Sequence, residues 1–261
     1  MGFLSVLHSD VGIRKKTNQD SVLLKEADTD YGPVMLAAVC DGMGGLAKGE
    51  VASAALVYAL SAWFETVFPA ILYEQRTPDG IDEAAVEASL NDVVQDVNQR
   101  IAQYAREFHS VMGTTAAVLL LSEGKWHTLN VGDSRIYRVF DGELGQLTKD
   151  QTFVQREMDL GHMTPEEAKV HPQRNVLLQC VGASEVMVPE FEHGLYRTGD
   201  VFMLCSDGFR HVITPVEFAK ILVPRNMTSE KALKDAAVYC TELCKSRQEK
   251  DNISVAFVRA E

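Results

Sequence analysis

Basic residues are scarce in this 261-residue chain: 25 lysines and arginines stand against 37 aspartates and glutamates, a formal net charge of -12. A nucleic-acid binder needs Lys and Arg gathered over one face to meet the phosphate backbone, so that class is excluded. Cysteine is sparse as well. The five cysteines have no regular spacing, Cys40 and Cys205 fall inside apolar runs, and reduced core thiols are expected rather than a disulfide framework. Cys240 and Cys244 stand four apart on a predicted helix, but no second Cys or His pair accompanies them, which argues against structural zinc. The N-terminus lacks the basic stretch and apolar core of a secretory signal, and no apolar run approaches the roughly 18 residues that span a bilayer. A cytoplasmic protein without membrane insertion is expected. Internal repeats, low-complexity tracts and linkers are also missing, so residues 1–261 are expected to form one domain, with no room for a separate regulatory domain.

What is present is globular in character, 46% hydrophobic and 24% charged. Phe3 to Ser9, Ser21 to Lys25 and the apolar run Pro33 to Cys40 predict three strands. Helical spacing then predicts a helix over Ala47 to Phe68, a loop over Leu72 to Asp82, and a long helix from Glu83 to Phe108 with Val86, Leu90, Val94, Val97 and Ile101 facing inward. Thr114 to Leu121, Trp126 to Val131, Arg135 to Val139 and Leu144 to Leu147 predict an antiparallel meander, its last turn made by Asp141-Gly142. Short helical pieces are expected over Phe153 to Val170, with Thr164-Pro165-Glu166-Glu167 as a start signal, in a segment of about 150–176 that could act as a flap. Strands are predicted over Val186 to Glu192, Val201 to Cys205 and Ile253 to Val258, and helices over Pro215 to Leu222 and Ser229 to Cys244. Strands and helices segregate instead of alternating, which favours an α+β fold of antiparallel sheets covered by helices over a doubly wound parallel one.

Four aspartates fall at strand-to-loop junctions: Asp20, Asp41, Asp207 and Asp251. Singly, each reads as a turn former. Together, carboxylates without accompanying His or Cys suit hard cations such as Mg²⁺ or Mn²⁺, and their repulsion would demand such cations. Two metals about 4 Å apart can activate water and clamp a phosphoryl oxygen, which is hydrolytic chemistry on a phosphate ester. The glycines of Asp41-Gly42-Met43-Gly44-Gly45 suit either a sharp strand-to-helix connection or a close approach of backbone to metal. Lys48 follows them without the spacing of a P-loop, so nucleotide binding by that motif is not supported.

Asp10-Val11-Gly12 before Asn18-Gln19-Asp20, Asp41-Gly42-Met43-Gly44-Gly45, Gly113-Thr114-Thr115, Gly132-Asp133-Ser134-Arg135, Ser206-Asp207-Gly208 and Asp251-Asn252 occur in one order. In that order they resemble the metal-dependent protein serine/threonine phosphatases of type 2C, in their compact bacterial form. The resemblance implies a four-layer α-β-β-α sandwich with the metal centre at one end. It implies that Asp41 bridges two Mn²⁺ or Mg²⁺ ions, that Asp207 and Asp251 complete the first site, and that the Gly42 carbonyl and Asp20 serve the second. A third, weaker ion would be held by Asp133 and Asp207, with Asn175 as a contribution from the flap, and Asn252 would support the centre. Attack by metal-activated water, without a phosphoenzyme, is the implied chemistry. Phosphorylated proteins, including a bacterial Ser/Thr kinase and its targets, are the implied partners, and a monomer is expected.

Two positions depart from the family pattern. Lys15 stands where an arginine usually binds phosphate, with Arg14 and Lys16 on either side, so Lys15 or Arg14 would take that role. Met43 stands where many eukaryotic members place a histidine, which leaves the leaving-group acid open, and His171 reads as structural. The rival readings are a catalytically silent phosphoprotein-binding module, a phosphoesterase acting on small molecules, and a plain interaction protein.

Overall fold

The computed structural model describes residues 2–44 and 48–261, so Gly45 of the glycine motif and Ala47, the expected helix start, lie outside the described residues. The strands are β1 (Phe3–Asp10), β2 (Asp20–Thr29), β3 (Gly32–Gly44), β4 (Arg76–Thr77), β5 (Gly80–Ile81), β6 (Met112–Thr114), β7 (Ala116–Ser122), β8 (Lys125–Val131), β9 (Arg135–Phe140), β10 (Glu143–Gln146), β11 (Glu190–Leu195), β12 (Val201–Cys205) and β13 (Ile253–Ala260). The helices are α1 (Gly49–Thr66), α2 (Phe68–Glu74), α3 (Glu83–Glu107), α4 (Phe153–Asp159), α5 (Pro165–Val170), α6 (Asp207–Arg210), α7 (Pro215–Ile221) and α8 (Glu230–Ser246).

Two antiparallel sheets face each other. One has the order β1-β13-β12-β9-β10 and the other β11-β8-β7-β3-β2, with β6 paired to the end of β3. The central strands β3, β7, β12 and β13 are apolar at consecutive positions because both faces are covered. Met35, Ala37 and Val39 of β3 meet Phe202 and Leu204 of β12 and Ala256 and Val258 of β13 between the sheets. The alternate residues Leu36, Ala38 and Cys40 pack instead beneath Leu56, Leu60 and Trp63 of α1 and Val94 and Val97 of α3. On the far side, Met203 and Cys205 of β12 and Val255 and Phe257 of β13 pack under Leu233, Ala237, Cys240 and Cys244 of α8. The result is the expected helix-sheet-sheet-helix sandwich, and all five cysteines are buried free thiols.

The inward stripe of α3 is buried as predicted, and the helix begins where the Asp82 carboxylate accepts from the Ala84 and Ala85 amides. Three expectations are corrected. The helix expected to end at Phe68 ends at Thr66, ahead of Pro69, but the stretch expected as a loop holds the end of α2, which Pro69 opens, and the β4-β5 hairpin, pinned by the Arg76–Glu123 ion pair. The strand expected from Val186 is β11 and starts at Glu190. The Gln179 amide satisfies both the N–H and C=O of Val188, and Pro189 has no N–H to offer a ladder. The expectation that no stretch is apolar enough to cross a bilayer also fails, because Gly49–Glu74 passes by length and composition. Ala52, Leu56, Leu60, Trp63 and Phe64 on that stretch are buried against the sheet.

His127 on β8 lies directly opposite His193 on β11, is 2% exposed, and has no hydrogen-bond partner at either ring nitrogen. Burial lowers its pKa from 6.5 to about 4, against the pull of Glu83 and with the help of His193 and Lys125. The neutral ring is therefore favoured in the folded state, and stability is full above pH 6.5 and falls as pH drops toward 4. Urea unfolding at pH 7.5 and 4.5 should show the wild type losing about 2 kcal/mol more than His127→Leu across that interval.

Candidate metal centre

Strand pairing brings the aspartates to one end of the sandwich. Asp20 and Asp41 are directly opposite each other across the β2-β3 pair. In the other sheet Cys205 is opposite both Val255 and Arg135, and Asp10 is opposite Ile253. Asp207 just past β12, Asp251 just ahead of β13 and Asp133 just ahead of β9 therefore share that end with Asp20 and Asp41. A surface concavity of about 350 Å³ lies beside Asp200 at the other end of β12 and contains none of them.

The motif residues that are not carboxylates hold this end in place. Thr115 Oγ1 accepts from the Asp41 amide at 2.9 Å and shares a 2.7 Å hydrogen bond with Ser134, while the Thr115 amide donates to the Asp41 carbonyl. Asn252, 3% exposed, accepts from the Gln19 amide and donates to the Val11 and Thr17 carbonyls, tying the loop before β2 to β13. Asn18 accepts from the Asp20 amide and donates to Ser9. At Gly42 a Cβ would lie 2.2 Å from the Gly49 carbonyl oxygen and 2.4 Å from that of Gln19, so only glycine fits there.

The electrostatics are those of crowded like charge. Burial first, then the charges of Asp20, Asp207, Asp133 and Asp251, push Asp41 well above the usual carboxylate range. Asp20 is pushed up to about 7 by burial, with Asp207 and Asp251 adding to it and the nearby Ser254 and Ser206 hydroxyls opposing. Those hydroxyls are engaged elsewhere, Ser254 with Ser9 and Ser206 with the Ser254 amide, and neither oxygen of Asp20 has a hydrogen-bond partner. Asp133 is pushed up to about 6 by burial and Asp207, against Arg210. Asp207 Oδ1 is likewise buried without a partner. Oxygen-only donors, orphaned carboxylate oxygens and mutual repulsion all fit hard divalent cations. Among the described residues no three such side chains already close around one point at coordinating distance.

Cationic side chains border the cluster. Lys15 Nζ lies 2.7 Å from Asp251 Oδ1. Burial lowers the Lys15 pKa, but the hydrogen bond and charge of Asp251, joined by Asp41 and Asp207, carry it above the ordinary value. Arg14 is exposed and makes no ion pair among the described residues, and Asn175 lies in an exposed turn, without a hydrogen bond to Asp133 or Asp207. Sequence reasoning missed the buried network behind Asp133. Arg210 Nη2 donates to the Asp133 carbonyl at 2.8 Å and lies 3.3 Å from its carboxylate, while Asp150 takes a two-pronged contact from Arg135 at 2.6 and 2.7 Å. A lone arginine between Phe209 and Val212 was the available signal, since a cation in an apolar run must find partners. His171, expected to be structural, stacks on Phe153 at 5.6 Å and accepts from the Gln173 amide.

Known proteins resemble this chain in sequence and in fold. Residues 12–246 match the family model described as protein phosphatase 2C. The serine/threonine protein phosphatase PstP of Mycobacterium tuberculosis is 37% identical over 202 residues, 77% of this chain but only 35% of that protein, so the chain spans about a third of that relative's length. The serine/threonine phosphatase stp of Listeria monocytogenes is 32% identical over 253 residues, covering 96% of this chain and 93% of that one. The solved catalytic domain of PstP in complex with 2 manganese ions superposes with a TM-score of 0.77 at 30% identity, over 99% of each chain.

The raised carboxylates give a signed expectation for metal-free protein. A carboxyl whose folded pKa is raised costs stability as pH climbs from its unfolded value through the folded one, so the penalty is absent near pH 3 and grows as pH rises. In EDTA at pH 7.5, Asp41→Asn should be more stable than the wild type in chemical denaturation, with the gap closing at pH 4.

Proposed function

The chain belongs to the protein phosphatase 2C family, and from that premise we propose that it is a metal-dependent protein serine/threonine phosphatase hydrolysing phosphoserine and phosphothreonine. The observation that carries this is the convergence of Asp20, Asp41, Asp133, Asp207 and Asp251 at one end of the sandwich, where each raises or is raised by its neighbours. Asp41, Asp207 and Asp251 would hold the first of two Mn²⁺ or Mg²⁺ ions, and Asp41, the Gly42 carbonyl and Asp20 the second. Asp133 and Asp207 would take a weaker third, to which the exposed Asn175 would have to come from the segment 150–176, our assigned flap. When bound, such ions supply Lewis acidity and lower the pKa of water toward neutrality.

The chain's own residues do the positioning. Thr115 and Ser134 fix the backbone of Asp41, and Asn252 fixes the loop that carries Lys15. The contact of Lys15 with Asp251, where Arg14 makes no ion pair among the described residues, supports Lys15 over Arg14 as the cation we assign to a phosphate oxygen, as a point charge without the planar fork of an arginine. His171 is tied to its own turn and is not assigned the leaving-group proton.

Phosphorylated proteins, a Ser/Thr kinase and its targets among them, are the substrates we assign to this site, for a cytoplasmic monomer. Retention of all five aspartates supports catalysis over a silent phosphoprotein-binding module. Phosphate release from a phosphothreonine peptide, with a nucleotide competing, should require Mn²⁺, vanish in EDTA and fall by at least about 100-fold in Asp207→Ala. Nucleotide preference would move the assignment to small phosphoesters, and inactivity with bound metal would favour the binding module. Lys15→Ala should raise KM for the peptide by about tenfold, whereas Lys15→Arg should keep it near the wild-type value.

A further inference from the structure

Two residues without a role so far connect the aspartates that follow β12 to those that precede β13. His211 ends the short helix α6 four residues after Asp207, so its ring lies over that carboxylate, with Nε2 3.5 Å from Asp207 Oδ2. The other ring nitrogen, Nδ1, lies 3.6 Å from Glu249 Oε2. Glu249 is itself buried, and its second oxygen, Oε1, accepts from the Lys250 amide at 2.6 Å and from the Asp251 amide at 3.0 Å. A continuous path of polar contacts therefore runs from the Asp207 carboxylate through the imidazole and the Glu249 carboxylate to the backbone of Asp251.

We propose that His211 and Glu249 are positioning residues that hold Asp207 and the Asp251 loop at the spacing one shared cation requires. The inference rests on the metal reading given above. The imidazole engages Asp207 through Oδ2, which leaves Oδ1, buried and without a hydrogen-bond partner, turned to other work. Glu249 fixes the loop through two backbone bonds to a single oxygen, so that Asp251 Oδ1 meets Lys15 and the Asn252 amide while Oδ2 is left for a cation. The close approach of the two loops has a second witness: a Cβ on Gly208 would lie 2.1 Å from the Asn252 carbonyl oxygen, so the turn after Asp207 is seated directly on the Asp251-Asn252 backbone. Partners that orient a metal-binding side chain typically contribute 10- to 100-fold, roughly, in metal affinity.

The test uses the full chain stripped of metal and titrated with Mn²⁺ by calorimetry, with melting temperature in EDTA as the control for folding. His211→Ala and Glu249→Gln should each weaken the tighter Mn²⁺ site by about tenfold or more. The double variant should lose no more than the worse single one, because both act through one path. His211→Gln, which keeps a donor toward Asp207, should recover part of the loss. Wild-type affinity in the single variants, or losses that add in the double, would overturn the bridge. If His211→Ala melts too low to titrate, Glu249→Gln, which keeps an acceptor for the Lys250 and Asp251 amides, decides the matter alone: a loss of about tenfold supports the bridge and wild-type affinity overturns it. Absence of Mn²⁺ binding by the wild type would overturn the metal reading itself, a different outcome from an unaltered variant.

Discussion

Repulsion among carboxylates at one end of the sandwich is the constraint around which the rest is arranged. Asp20 and Asp41 face each other across paired strands, where like charges oppose pairing, and Asp133, Asp207 and Asp251 press on them from the second sheet. A fold tolerates such a concentration only if the remainder of the structure holds it rigidly. Here that rigidity comes from central strands, β3, β7, β12 and β13, whose two faces are both apolar and both covered, so that none of them can slip by one residue without driving its core side chains to the wrong layer.

The scaffold divides its tasks by chemistry. The hydroxyl and amide side chains of Thr115, Ser134, Asn18 and Asn252 bond to backbone groups and to other neutral side chains and leave the carboxylates alone. Arginines do the opposite. Arg135 and Arg210 neutralise Asp150 and the flank of Asp133 behind the cluster, which keeps the negative field concentrated toward its open side. Lys15 stands on that open side, on a loop that Asn252 anchors from β13.

Much of the fold was legible because the periodic signals were strong. The run Pro33 to Cys40 and the run Val201 to Cys205 read as buried strands since neither face meets water, and the stripe from Val86 to Ile101 reads as a helix face for the complementary reason. The failures were local. Val186 to Val188 has strand composition, yet a side-chain amide took the hydrogen bonds a neighbouring strand would have supplied. The first helix was expected to stop at Phe68, ahead of Pro69, but the short helix that Pro69 opens was not foreseen. At the site, aspartates at strand ends were visible as a pattern of residue type and position. Arg210, Asp150, His211 and Glu249 were not, because a single charged residue in a loop looks the same whether it meets solvent or a partner far along the chain.

The stretch that carries α4 and α5 leaves and rejoins the sandwich at a single place: the Phe153 amide donates to the Val176 carbonyl, the Leu178 amide donates to the Gln151 carbonyl, and Thr152 is bridged to Leu177. Because its two roots are fastened to each other, everything beyond them is a cassette. Its length and sequence can diverge at almost no loop-closure cost to the sheets beneath, so this segment can be rewritten while the sandwich from which it springs stays unchanged.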